Sequence, residues 1–82
     1  MTRDEIRRAV IEGLSNIAPE TDPAAIAGHA DVRDALDIDS MDFLNFVIRL
    51  HEQLRVDIPE ADYPKLLTID GATGYVAGKL GL

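Results

Sequence analysis

The chain contains no cysteine, only two tyrosines and two phenylalanines, and eight basic residues against fifteen acidic ones. The missing cysteine rules out a disulfide framework, a thiolate zinc site and a thiol nucleophile. The shortage of cations leaves a net charge of −7, which disfavours nucleic acid and anionic membrane and favours protein partners with basic surfaces. Long apolar runs are also lacking. The opening "MTRDEIRRAVIEG" is charged throughout, so neither a secretory signal nor a membrane span is expected. A soluble, cytoplasmic protein is the expectation, and it is expected to be a monomer.

The 82 residues are read as a single domain, 1–82. A chain of this size buries only about 60% of the surface its unfolded form exposes. A deep, water-free catalytic site would leave too little core to hold the fold, so the chain is not expected to be an enzyme.

What is present is helical. "TRDE" at residues 2–5 fits a capping box, with Thr2 as N-cap and Glu5 three positions on. Ile6, Val10, Leu14 and Ile17 then recur at helical spacing until Pro19. Residues 18–38 form a long connection with a turn at "PAAIAG", pinned to the core by Ile26, Val32 and Leu36. Such a loop in a compact domain is functional or disordered, and three apolar anchors favour order. A strong helix follows over about 40–55. Pro59 suits the first position of a short helix, "PEADY", which Pro64 truncates. Thr68 can cap a last helix with Ile69, Ala72, Val76 and Leu80 as its buried row. Gly71, Gly74 and Gly78 weaken that helix by about 1 kcal/mol each relative to alanine. No segment alternates as a strand does. The expected fold is all-α, a small bundle of three main helices and one short one, with a long ordered loop between helices one and two.

The helix over 40–55 has more apolar surface than one core stripe needs. At about 100° per residue, Phe43, Phe46, Val47, Leu50 and Leu54 share one face, while Met41, Leu44 and Ile48 form a second row roughly 130° away. That second row either packs under the long loop or stays exposed beside Asn45 and Glu52 as a docking strip. It begins one residue after Ser40, in "LDIDSMDFLNFV".

Asp39 or Ser40 suits the N-cap of this helix. Ser40 makes a poor hydrolase nucleophile. His51 lies eleven residues along the same helix, about 16 Å away at 1.5 Å per residue. His29 has no third partner or oxyanion hole in view, and no G-x-S-x-G elbow is present. Asp37, Asp39 and Asp42 do not make a calcium loop, since the glycine and glutamate positions of an EF-hand fall on Asp42 and Ile48. No resident metal is expected. What remains is a hydroxyl offered to another enzyme's active site, at a helix N-terminus that favours a phosphate ester.

"DSMD", residues 39–42, resembles the D-S-[LM]-[DE] attachment signature of the acyl carrier protein family. "VDIPEADYPKLLTIDGATGYV", residues 56–76, is similar to the same family's segment through its third and fourth helices. The likeness covers nearly the whole chain. It implies that a phosphopantetheinyl transferase attaches 4′-phosphopantetheine covalently to Ser40, with Asp39 helping to hold that enzyme's metal. The terminal thiol of the arm would carry acyl groups as thioesters, so the working sulfur is borrowed. Met41, Asp42, Leu44, Asn45, Ile48 and Glu52 would be read by client enzymes with basic and apolar docking patches, among them an acyl-loading ligase or acyltransferase. Family carriers are also expected to hold part of the acyl chain between helices, where Ile6, Phe46, Val47, Leu50 and Val76 are the candidates to line the space.

Two departures narrow the resemblance. Fatty-acid carriers usually have glycine where this chain has Asp37. Their second helix also carries several glutamates at positions that here hold Asn45, Arg49, His51, Gln53 and Arg55. Acidity has moved upstream, to Asp31, Asp34, Asp37 and Asp39. Because charge pattern sets partner choice, these changes imply a specialised carrier in a fatty-acid, lipid or secondary-metabolite pathway. The rival reading from another class is a non-covalent interaction module that docks through Met41, Leu44 and Ile48.

Overall fold

The computed structural model describes residues 1–82. The first helix, α1, spans Arg3–Ile17. Its capping box forms as expected, since Thr2 Oγ1 accepts from the Glu5 N–H and Glu5 Oε1 accepts from the Thr2 N–H. Ile6, Val10 and Leu14 are fully buried on its inner face.

The connection that follows is ordered and more structured than expected. It holds a 3₁₀ turn, Pro23–Ala25, and a four-residue helix, α2, at Val32–Ala35. One helical turn carries no periodic signal, which is why "VRDA" reads as loop. Val32 and Leu36 are buried anchors, and Ile26 packs partly against the core. Two backbone hydrogen bonds tie this segment to the far end of the chain: the Val32 N–H donates to Leu67 O at 2.8 Å, and the Asp70 N–H donates to Gly28 O at 3.0 Å. Gly28 permits that approach, because a Cβ there would collide with the Asp70 carboxylate. Arg7 of α1 completes the junction through a 2.7 Å ion pair to Asp70.

The central helix, α3, runs Ser40–Leu54. A 3₁₀ helix follows at Glu60–Leu66, and α4 spans Ile69–Lys79. Three expectations need correction here. Pro59 is the N-cap of the short helix, not its first residue, and Pro64 lies inside it without ending it. In α4, Leu80 is the C-cap and 40% exposed, so it does not extend the buried row. The inner face comprises Ile69, Ala72, Thr73, Val76 and Ala77, the i, i+3, i+4, i+7, i+8 set. The helix ends because the chain reverses at Gly81, whose φ is 75°, and the Leu82 N–H donates back to Ala77 O.

The bundle is all-α: α1, α3 and α4 are its three main helices, the 3₁₀ helix Glu60–Leu66 is the expected short one, and α2 and the Pro23–Ala25 turn are additional. α1 packs on both α3 and α4, and the 3₁₀ helix packs on α4. Ile6, Phe46, Val47, Leu50 and Val76 converge in one core cluster and are essentially inaccessible to solvent. Leu54, expected on the same face, is only partly buried. No helix is long and apolar enough to cross a membrane.

Candidate functional site at the start of the central helix

The corner before α3 is built from buried residues on either side of an exposed one. Leu36 and Phe43 are in the core and Ile38 is half-buried, while Asp39, Ser40 and Met41 face solvent. To turn the corner, Asp37 takes a left-handed backbone with φ 52°. That conformation suits glycine, and among L residues aspartate and asparagine tolerate it best. The departure at position 37 therefore leaves the turn intact and adds a carboxylate.

Of the two candidate caps, Asp39 takes the role. Its Oδ1 accepts from the Asp42 N–H at 2.8 Å, and its carbonyl accepts from the Phe43 N–H at 3.0 Å. Ser40 is then the first residue of the helix proper. Its exposed hydroxyl is not drawn into capping and enters no side-chain hydrogen bond. Neither His29 nor His51 bonds to it, and both histidines are exposed. The nearby acids do not converge into a set of three able to hold a metal ion. What the arrangement offers chemically is a free primary hydroxyl at a helix N-terminus, open to a large reagent.

The second apolar row of α3 does not lie under the loop. Met41 is 65% and Ile48 42% exposed, whereas Phe46 and Leu50 on the other face are fully buried. Leu44 is half-buried between them; Asn45 and Glu52 are exposed, and Asp42 is intermediate. An apolar strip thus starts beside Ser40 and follows the helix for two turns.

Charge is concentrated in the stretch of chain that leads into this corner. Residues 18–44 hold seven carboxylates and one cation, Arg33, a net of −6, so the rest of the chain is nearly neutral. Arg33 is already engaged by Asp31, and this hydrogen bond holds the Asp31 carboxyl below its ordinary pKa.

The chain is similar over nearly its whole length to known proteins. It is 33% identical over 78 residues to an acyl carrier protein of Campylobacter curvus, covering 95% of this chain and 94% of that one. The acyl carrier protein of Campylobacter fetus is 32% identical over 75 residues, covering 92% and 91%. The chain belongs to the acyl carrier protein family. A mitochondrial acyl carrier protein of Neurospora crassa is more distant, at 26% identity over 76 residues, covering 93% of this chain and 57% of the longer relative. No family model and no solved structure matches.

Within this carrier, Asp39, Ser40, Met41 and Asp42 lie together at one corner. Asn45, Ile48 and Glu52 extend from it along the exposed side of α3. What sequence reasoning missed is α2, whose Asp31 cap and buried Val32 fix the approach to the corner. The clue available was "DVRDAL", an Asp before a single apolar-flanked turn, which is too short to stand out.

Proposed function

We propose that Ser40 is the attachment site for 4′-phosphopantetheine and that the protein carries acyl groups between partner enzymes without catalysing a reaction itself. The observation that carries this reading is the unbonded, exposed Ser40 hydroxyl on the first turn of a helix already capped by Asp39. The local chemistry fits the group. A phosphodiester on Ser40 Oγ would sit where unpaired backbone N–H groups and the helix dipole favour an anion. When bound, the group supplies a terminal thiol that holds cargo as a thioester. Asp39, exposed and adjacent, would assist a transferase's metal during attachment.

Met41, Leu44 and Ile48, flanked by Asp42, Asn45 and Glu52, form the surface that client enzymes read. These would include the phosphopantetheinyl transferase and an acyl-loading ligase or acyltransferase, acting in the cytoplasm on a monomeric carrier. The redistribution of acid from α3 to the loop supports a specialised pathway with dedicated partners. Cargo is an acyl group; peptidyl carriers usually show a G-G-x-S motif, which this chain lacks, so an amino-acid cargo is less favoured.

The test is incubation with coenzyme A and a promiscuous phosphopantetheinyl transferase, read by intact-mass spectrometry. Wild type should gain one phosphopantetheine and Ser40→Ala none. Because Asp39 holds the cap, Ser40→Ala should change stability by less than about 0.5 kcal/mol. A wild type that stays unmodified overturns the carrier reading and leaves the non-covalent docking module in its place.

A further inference from the structure

Ile6, Phe46, Leu50 and Val76, expected to line a space between the helices, are fully buried and border none of the molecule's four clefts. The packed interior offers a carried chain no space. A cleft of ≈ 230 Å³ opens instead between α3 and the 3₁₀ helix, lined by Val47, Ile48, His51, Ile58 and Tyr63. Val47 and Ile58 form its buried floor, Ile48 and His51 are exposed, and Tyr63 is half-buried. Neither polar ring is committed elsewhere: the tyrosine that holds Asp62 is Tyr75, and the ion pairs do not include His51.

Size, reach and chemistry together name an occupant. At about 30 Å³ for each water-sized group, the cleft holds about eight non-hydrogen atoms. That is an acyl group of roughly four to six carbons with its oxygens, and too little for a long alkyl chain. Val47 and Ile48 lie about 10–12 Å along α3 from Ser40, at 1.5 Å per residue. A phosphopantetheine arm puts about a dozen bonds between phosphate and sulfur, the length of about four extended residues or roughly 13 Å. A group on its thiol can therefore reach the cleft. Hydrocarbon lying across His51 and Tyr63 would strip water from both rings and return no hydrogen bond. A hydroxyl or keto oxygen restores one by accepting from the phenol or the imidazole N–H. A carboxylate is disfavoured by the net charge of −7. We propose that this cleft holds the carried acyl group outside the bundle, and that His51 and Tyr63 select a short, neutral one bearing a hydroxyl or keto oxygen. This cargo class rests on the carrier reading, since the arm must be on Ser40.

The test loads ¹⁵N-labelled protein from β-hydroxybutyryl-, butyryl- or dodecanoyl-coenzyme A with a promiscuous phosphopantetheinyl transferase. Relative to the unacylated arm, the hydroxybutyryl group should shift the amides of Val47, Ile48, His51, Ile58 and Tyr63 and leave Ile6 and Val76 in place. Spontaneous hydrolysis of each thioester is normalised to the same acyl group on free pantetheine. It should be about threefold slower for hydroxybutyryl than for butyryl, the effect of one neutral hydrogen bond, and no slower for dodecanoyl than for butyryl. Tyr63→Phe, which keeps the ring on the floor, should reduce that preference, and Tyr63→Phe/His51→Leu should erase it. Shifts centred on Ile6, Leu50 and Val76, stronger protection of dodecanoyl, or a preference that survives the double variant overturns the proposal. A wild type that gains no mass overturns the carrier reading and this cargo site together. A loaded protein whose cleft amides do not shift overturns the cargo site alone.

Discussion

In α3, Asp39 caps the first turn, no glycine interrupts the fifteen residues, and the helix has apolar side chains to spare on its solvent side. In α4, Thr68 caps the first turn in the same manner, with its Oγ1 accepting from the Gly71 N–H at 2.9 Å. There, however, three glycines occupy eleven residues and the apolar side chains are spent inward. The stronger helix thus faces outward at the functional corner, and the weaker one is held by its neighbours. α4 is gripped by α1, by the 3₁₀ helix and by the Gly28–Asp70 junction. Tyr75 Oη donates to Asp62 Oδ2 at 2.7 Å, and Lys79 lies 5.5 Å from the Tyr75 ring centroid. Intrinsic helix strength and tertiary hold are separate quantities, and here they are allotted to different helices. A helix that must show one side to partners cannot rely on burial all round, so its own propensity and cap matter more.

The largest effect should come from breaking the two faces of α3 apart. Phe46→Ala, inside the core, should lower unfolding free energy by about 3–5 kcal/mol. Met41→Ala, on the exposed strip, should stay within about 0.5 kcal/mol. Chemical denaturation measures both, and comparable losses would mean that the strip is structural.

A smaller contrast lies within α4. A Cβ on Gly71 would stand 2.6 Å from the Lys65 carbonyl oxygen, a backbone atom that cannot swing away, while one on Gly74 meets nothing within 4 Å. Gly71→Ala should therefore destabilise by about 1–3 kcal/mol, whereas Gly74→Ala should stabilise by up to about 1 kcal/mol. Amide hydrogen exchange should show α4 opening less readily in Gly74→Ala, with α3 little changed. A stabilising Gly71→Ala would show that the junction is looser than its geometry.

The smallest effect concerns the clasp between Tyr75 and Asp62. Burial, followed by the hydrogen bond and charge of Asp62, raises the Tyr75 pKa to about 12. A group whose pKa is raised by folding contributes stability that is present below its unfolded value, near 10, and lost as pH climbs through the folded value. Stability should therefore fall between about pH 10 and pH 12. Tyr75→Phe should remove that part of the slope while costing no more than about 1 kcal/mol at neutral pH. Asp62 acts with the opposite sign: its pKa is lowered by the Tyr75 hydrogen bond and then by Lys65, so its contribution fades in acid, below the ordinary carboxylate range. An unchanged alkaline slope in Tyr75→Phe would assign the loss to other groups.

Local patterns were legible because they depend on neighbours in the chain. The Thr2–Glu5 box, the α1 stripe, the start of α3 at the "DS" pair and the Thr68 cap follow from spacing alone. Where periodicity met a competing end signal, the reading slipped. Leu80 continues the α4 row on paper, but the Gly81 reversal ends the helix first. Pro64 stops an α-helix but is accommodated within the observed 3₁₀ helix. The four-residue α2 owes its place to a hydrogen bond from Val32 to Leu67, a partner thirty-five positions away that no local window contains.

By itself, the amino-acid sequence determined the helical class, the surplus apolar row beginning after Ser40, and the excess of acid before and around it, since these are properties of composition and period. Tertiary structure alone decided which of Asp39 and Ser40 would cap α3, leaving the serine hydroxyl free. It also decided which apolar row would face water, and that Val47, His51, Ile58 and Tyr63 would border one cleft. Those outcomes depend on how α1, the loop and the 3₁₀ helix pack against α3, and packing joins residues that the order of the chain keeps apart.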